Sequence, residues 1–179
     1  MSSPVLVTPA TAPVVSLADL KAHLNVLHDE DDDLISAYEA AAVSWLDGYN
    51  GYLGRCIMPQ VWEETLDGWG AWPLAFGDVR TIDQLSYLNT QGETAILTTG
   101  DIAISGGSVV TAWGPGGATG IRIRYTVGMP ETDIPAIRQA IKMTVAHWYR
   151  NREAVSDGQF ADIPIAAAAL VRGKQRLTA

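Results

Sequence analysis

The sequence contains three histidines, His23, His28 and His147, whose side chains could bind a metal ion or transfer a proton. The chain has no His-Glu-x-x-His segment or comparable ligand spacing. A zinc site needs at least three converging ligands, and the single cysteine, Cys56, excludes a cysteine cluster and an internal disulfide. We therefore predict structural or surface roles for the histidines and no metal site. The single cysteine is compatible with a protein of a reducing compartment.

The acidic run 29–33 is the second feature with possible metal chemistry, because its carboxylates at positions 29, 31 and 33 alternate as in a calcium loop. A calcium loop of this type also needs glycine at its sixth position and glutamate at its twelfth. Those positions are Leu34 and Ala40, so the calcium interpretation fails. Carboxylates that precede a helix are sufficiently explained by the positive end of the helix dipole.

A glycine-rich segment, residues 114–120, has the composition of a phosphate-binding loop. It lacks the Gly-Lys-Ser/Thr that would hold phosphate and magnesium, and it joins two strand-like segments instead of opening a helix. We interpret it as a connecting loop. Since no acidic pair stands out for acid–base work either, we predict no catalytic residues, no cofactor and no enzyme, with a hydrolase as the weakest alternative.

The length, charge and hydropathy of the chain exclude further classes of protein. The 179 residues suffice for one domain, or for one domain with an insertion. Only 18% are charged, against an average of about 25%, which suggests that surface is buried between copies. A net charge of -8 argues against a protein that grips DNA phosphates, and no apolar run reaches the roughly 20 residues of a membrane span.

Helical spacing occurs at both ends of the chain. Ser16 and Asp19 resemble a helix N-cap and its acidic first turn, and leucines recur at helical spacing from Leu17 to Leu27. A second helix follows the acidic run, from Leu34 to Leu46, and ends at Gly48 or Gly51. A third is predicted from Pro135 to Arg152. Its apolar face carries Ile137, Ile141, Val145 and Trp148.

Between the helices, short β-prone runs and glycines indicate antiparallel strands. The predicted strands are Val61 to Leu66, Tyr87-Leu88 paired with Thr94 to Leu97, Ile102 to Ile104 paired with Val109 to Trp113, and Ile121 to Val127. We predict an α+β fold: a three-helix core with an inserted antiparallel β sandwich or open barrel. The expected divisions are an extended arm 1–15, helical layers 16–53 and 131–155, the β insertion 54–130 and a C-terminal segment 156–179.

The order of the segments resembles the head-tail connector, or adaptor, proteins of tailed phages and gene-transfer agents, in the subgroup with a β-rich insertion. The resemblance extends from about Ser16 to Val171. The segments that carry it are Ser16 to Val26, Asp29 to Ile35, Tyr49 to Arg55, Thr65 to Gly68, Tyr125 to Gly128, Ile134 to Ile141 and His147 to Val155.

This resemblance implies a structural ring of about twelve copies beneath the portal of a virion or phage-like particle. DNA would pass through the ring without sequence-specific binding, and a stopper or tail component would bind the other end. The subunit would be made in the host cytoplasm, without a membrane partner. The portal-binding candidates implied are Ile163, Pro164, Ile165, Leu170, Arg172, Lys174 and Arg176. The candidates for inter-subunit or tail-side contacts are Trp69, Trp72, Tyr149 and Arg152.

Two tryptophans leave a different class of function open. Trp69 and Trp72 lie among glycines, where aromatic side chains often meet a partner. The main alternative is therefore a small β-rich binding module that uses these two rings to bind a carbohydrate or a peptide.

Overall fold

The computed structural model describes residues 4–97, 102–106, 109–152 and 164–176. The chain divides into two compact units. The β unit contains residues 1–10 and 58–129, and the helical unit contains residues 11–57 and 130–179. The chain therefore passes from one unit to the other three times, after residues 10, 57 and 129.

The helical unit contains four described helices: α1 (Leu17–Leu24), α2 (Asp32–Leu46), α3 (Ile134–Arg150) and α4 (Ile165–Arg172). Helices α1, α2 and α3 contact one another and form the predicted three-helix core, and α4 packs against α3. The core contains Leu20, Ile35, Leu46, Ile137, Ile141, Val145 and Trp148, all at most 3% exposed. The predicted apolar face of the third helix is therefore the buried one.

Helix α1 begins and ends where local chemistry requires. The Ser16 hydroxyl accepts the Asp19 N–H at 3.1 Å, as expected of an N-cap. Asn25 follows the helix in the left-handed conformation, with φ 58°, and its N–H returns to the last turn. The prediction that the helical leucine pattern extends to Leu27 is wrong, because the helix has ended and this side chain is 97% exposed.

The β unit contains eight described strands. They are β1 (Val5–Thr8), β2 (Gln60–Leu66), β3 (Gly70–Pro73), β4 (Val79–Leu88), β5 (Thr94–Leu97), β6 (Ile102–Ser105), β7 (Val109–Ala112) and β8 (Thr119–Val127). All pairs are antiparallel. One sheet has the order β1-β2-β8-β4-β5 and the other β3-β7-β6. The predicted α+β class is confirmed, with two open sheets and no closed barrel among these strands.

The central strand β8 shows why the sheet forms. Ile121, Ile123, Tyr125 and Val127 alternate along it and are at most 1% exposed. In the β4–β5 hairpin, the Asn89 carboxamide oxygen accepts the N–H groups of Gln91 and Glu93, both at 2.9 Å. The Asn89 side chain thus satisfies two N–H groups of the turn, which also contains backbone hydrogen bonds from Asn89 to Glu93 and from Gly92 to Asn89. Both predicted hairpins and the strand from Ile121 to Val127 are present.

Residues 4–15 of the expected N-terminal arm are not separate from the fold. Strand β1 pairs with β2 and forms one edge of the five-stranded sheet. Val14 and Val15 are 4% and 2% exposed. Their N–H groups donate to the buried Glu39 carboxylate at 2.9 and 3.2 Å. The arm therefore contributes an edge strand to the β unit and two buried valines to the helical unit.

The C-terminal segment contains a helix at residues 165–172, which was not predicted from the sequence. Alanine has the highest helix propensity, and four alanines lie in this helix. Ala167 and Val171 are four positions apart and only 1% and 0% exposed, so one side of α4 is buried.

Candidate functional site

Among the described residues predicted to contact the portal, those on the outer side of α4 are the most exposed. Opposite the buried Ala167 and Val171, helical spacing places Ile165 and Arg172 seven positions apart on one side. Ile165 is 89% exposed, Leu170 is 38% exposed, and Arg172 is exposed. We call Ile165, Arg172 and, at the border with the buried side, Leu170 the α4 outer face. These residues expose two large apolar side chains and one cation.

A polar clamp follows α4 and holds the segment to the helical unit. The Lys174 ammonium lies 2.7 Å from Asp133 Oδ1, at the start of α3. Arg55 bridges both partners, with one guanidinium nitrogen 3.4 Å from Asp133 Oδ2 and 3.0 Å from the Lys174 carbonyl oxygen. The Arg176 N–H donates to the Leu53 carbonyl at 2.9 Å. The C-terminal clamp therefore joins residues 174–176 to the turn after α2.

The charges of the clamp are matched to one another. The hydrogen bond from Lys174, aided by the positive charges of Lys174 and Arg55, holds the pKa of Asp133 below its ordinary value of 3.8. Asp133 is the N-cap residue of α3, but its side chain makes no capping hydrogen bond. Its carboxylate is used to bind the C-terminal segment instead.

The structure separates the predicted portal-binding residues into three groups. Ile165, Leu170 and Arg172 are exposed on α4. Pro164 is half-buried at the start of the helix, and Lys174 and Arg176 are half-buried in the clamp. Ile163 lies outside the described residues.

A second cluster joins the beginning of α2 to the end of α3. The Tyr149 hydroxyl donates to Asp31 Oδ2 at 2.5 Å, and the Arg152 guanidinium contacts the same oxygen at 2.8 Å. Arg152 also lies over the Tyr149 ring, 4.1 Å from its centroid. Hydrogen bonds from Tyr149 and then Arg152 hold the pKa of Asp31 below its ordinary value of 3.8. Tyr149 and Arg152, two of the four residues predicted for inter-subunit or tail-side contacts, therefore bind Asp31 of the same chain.

Two more carboxylates of the acidic run, Asp29 and Asp32, form ion pairs within the helical unit. Lys21 on α1 lies 2.5 Å from Asp29 and 2.7 Å from Asp32. The hydrogen bond with Lys21 lowers the pKa of Asp29, and the two carboxylates raise the pKa of Lys21. The run thus links α2 to α1 and α3. Within the described residues, no three metal-ligating side chains converge.

The two tryptophans singled out in the sequence are held by contacts inside the β unit. Trp69 donates its indole N–H to the Pro115 carbonyl at 2.9 Å and meets the Tyr87 ring edge-on, with centroids 5.4 Å apart. Trp72 lies on β3 and donates to the Gly68 carbonyl at 2.8 Å. Both are half-buried. These contacts give the carbohydrate- or peptide-binding alternative no support.

Sequence reasoning missed several residues that the structure makes prominent. Asp133 and Arg55 form the clamp, but nothing in their spacing connects them with Lys174. Trp113, at 67% exposed, is more exposed than Trp69 and Trp72. In the described part of the chain, no helix is both long and apolar enough to cross a membrane.

Comparisons with known proteins agree with this architecture. Residues 14–67 match the family model described as phage gp6-like head-tail connector protein. No curated protein sequence matches the chain significantly.

Solved structures match the chain over nearly its whole length. A chain from the neck of an empty GTA particle, computed with C6 symmetry, matches with a TM-score of 0.73 and 18% identity, covering 99% of this chain and 97% of that chain. A chain from the virion of a native gene transfer agent particle matches at 0.72 and 19% identity, covering 98% and 96%. A chain from the neck of a native GTA particle, computed with C12 symmetry, matches at 0.63 and 18% identity, covering 98% and 97%.

These matches agree with one another in fold, and the family model covers the segment from Val14 through α1 and α2 to the end of β2. The resemblance to phage and gene-transfer-agent head-tail connector proteins is therefore confirmed, by a family pattern in residues 14–67 and by the fold of the chain as a whole.

Proposed function

We propose that this chain is a head-tail connector subunit in the neck of a phage or phage-like particle. About twelve copies form a ring under the portal, DNA passes through the ring, and a stopper or tail component binds the opposite end. The observation that carries the proposal is the match of the whole chain to neck subunits of gene transfer agent particles, together with the connector pattern in residues 14–67. The role is structural and not catalytic.

The charge of the chain supports passage of DNA. Each subunit carries a net charge of -8, so a ring of about twelve copies is strongly acidic. A protein that holds DNA tightly neutralises phosphates with lysine and arginine and releases their counterions. An acidic ring instead repels the phosphate backbone. DNA can therefore move through it without adhering.

The α4 outer face supports contact with the portal. Ile165 is 89% exposed on a helix whose opposite side is buried, and Leu170, at the border of the buried side, is 38% exposed. A helix that presents apolar side chains in this way fits a groove on a partner, with Arg172 at its rim. We propose that Ile165, Leu170 and Arg172 contact the portal, whereas Lys174 and Arg176 hold the segment in position.

Substitution of Ile165 tests this contact without disturbing the subunit. Ile165→Asp should leave circular dichroism and unfolding temperature unchanged, because the side chain is exposed, but it should remove binding to the particle's portal in a pull-down. Leu27→Asp is the matched control, since Leu27 is a 97% exposed apolar residue of the same unit. Full portal binding by Ile165→Asp would overturn the assignment.

Point substitutions suit this test better than deletion of the C-terminal segment. Deletion would remove the buried Ala167 and Val171 and the ion pair between Lys174 and Asp133. The loss of binding could then follow from a damaged helical unit. Arg172→Glu adds an electrostatic test: it should slow association with the portal most at low salt.

A further inference from the structure

Strand β1 has an unusual surface for the edge of a sheet. All four residues, Val5 to Thr8, are exposed, and the three apolar ones are 62%, 44% and 40% exposed. Successive side chains of a strand point to opposite faces, so apolar groups are accessible on both. Its outer edge also pairs with no other strand of the described chain. Such an edge is a template for pairing with another chain.

The opposite edge of the same sheet has matching properties. Strand β5, from Thr94 to Leu97, pairs with β4 on one side and with no described strand on the other. Its Ile96 is 66% exposed. Both edge strands have four residues. Among the described strands, this sheet therefore has two different unpaired edges of equal length.

Charge does not protect either edge. Soluble proteins commonly place lysine or other charged side chains on an exposed edge strand to prevent pairing. Here the first eighteen residues of the chain contain no charged residue, and none occurs in β5. Pro4 and Pro9 flank β1, and because proline cannot donate a ladder hydrogen bond they confine pairing to the strand between them.

We propose that β1 of one copy pairs with β5 of the next copy and continues the five-stranded sheet across the subunit boundary. The inference rests on the proposed ring, for which it supplies an interface between neighbours. A contact between two different surfaces repeats from copy to copy and can close into a ring. Pairing of β1 with β1 would use the same surface twice and would stop at two copies.

Cross-linking between the two edges tests this arrangement. Leu6→Cys and Ile96→Cys are introduced separately into a Cys56→Ala background, which removes the buried native thiol. Rings assembled on the portal from an equal mixture of the two variants are treated with a short bismaleimide. We expect covalent dimers from the mixture and none from either variant alone. Dimers from Leu6→Cys alone would overturn the proposal in favour of β1–β1 pairing.

A charged edge gives an independent readout. Leu6→Lys should weaken ring assembly at least about tenfold in mass photometry, because it places a charge in the proposed interface. Ile104→Lys is the control: Ile104 is 38% exposed, similar to Leu6 at 44%, but lies on β6 of the other sheet. Circular dichroism should show that both variants are folded.

The two proposals fail in different ways. If the unmodified chain forms no portal-bound ring in electron microscopy, the proposed function is wrong. If rings form normally, but the mixed cysteine variants do not cross-link and Leu6→Lys assembles like the control, only the edge pairing is wrong.

Discussion

The Tyr149 hydroxyl donates a 2.5 Å hydrogen bond to Asp31 Oδ2 and so connects the last turns of α3 to the residue that precedes α2. These residues are 118 positions apart in the chain, with the whole β insertion between them. Asp31 is the N-cap residue of α2, yet its carboxylate makes no capping hydrogen bond and binds across to α3 instead. The contact fastens the two parts of the helical unit that the insertion separates.

Removal of the Tyr149 hydroxyl should raise the pKa of Asp31. Tyr149→Phe deletes the hydrogen bond that is the largest single cause of the lowered pKa, and Arg152→Met deletes both a hydrogen bond and a positive charge. We expect the Asp31 carboxyl resonance to titrate at higher pH in each variant than in the unmodified chain. Tyr87→Phe, in the β unit, is the control. An unchanged titration in Tyr149→Phe would contradict the contact.

The ion pair between Asp133 and Lys174 should make the C-terminal clamp sensitive to acid. The pKa of Asp133 is lower in the folded chain than its ordinary value of 3.8. The stabilisation it provides is therefore complete above that value and is lost as the pH falls through the lower, folded-state pKa. In Asp133→Asn, the free energy of unfolding measured in urea should therefore fall less steeply with decreasing pH below about pH 4 than in the unmodified chain.

The same clamp can be tested at neutral pH. Lys174→Met should lower stability by about 1 kcal/mol or less, since the pair is only partly buried, and should accelerate hydrogen exchange at the Arg176 amide that bonds to Leu53. Lys142→Met is the control, because the structure records no ion pair for Lys142 among the described residues. Unchanged exchange at Arg176 would mean that Lys174 does not hold the segment.

The buried Glu39 carboxylate should be essential for anchoring the N-terminal arm. Glu39 is 7% exposed and accepts the N–H groups of Val14 and Val15 with one oxygen. Glu39→Ala leaves both N–H donors without this acceptor. It should lower the free energy of unfolding by about 1–3 kcal/mol for each unsatisfied group. Glu39→Gln keeps an acceptor oxygen and should cost less. Equal unfolding free energies for the two variants would contradict this role.

A methyl group at Gly114 should displace Trp69. A Cβ at this position would lie 2.4 Å from Trp69 Cζ2, so the ring must move away from the Pro115 carbonyl. Gly114→Ala should shift the Trp69 indole N–H resonance and destabilise the β unit by about 1–3 kcal/mol. Gly116→Ala is the matched control, because a Cβ there meets no atom within 4 Å. Identical spectra for both variants would refute the close contact.

The sequence predicted elements whose local pattern and tertiary packing agree. The third helix and strand β8 have apolar side chains at the spacing of their buried faces, so Ile137, Ile141, Ile123 and Tyr125 could be placed correctly from their order alone. Helix α4 was missed because its burial depends on only Ala167 and Val171, a signal too short to show a period. Strand β1 was missed because a prolonged alternation of polar and apolar residues is absent.

The candidate site was predictable in part. The exposure of Ile165 and Arg172 follows from their place opposite the short buried side of α4, but that helix had first to be known. The engagement of Lys174, Tyr149 and Arg152 within the subunit depends on carboxylates distant in sequence, Asp133 and Asp31. Charge pairs formed by tertiary folding leave no local spacing pattern, so these residues looked available for partners.

Cryo-electron microscopy of the chain incubated with the portal of its particle tests the central claim most directly. The account predicts a closed ring of about twelve subunits on the portal, with the α4 outer face against it and an open channel for DNA. A chain that remains unbound, or a ring that contacts the portal through another surface, would contradict it.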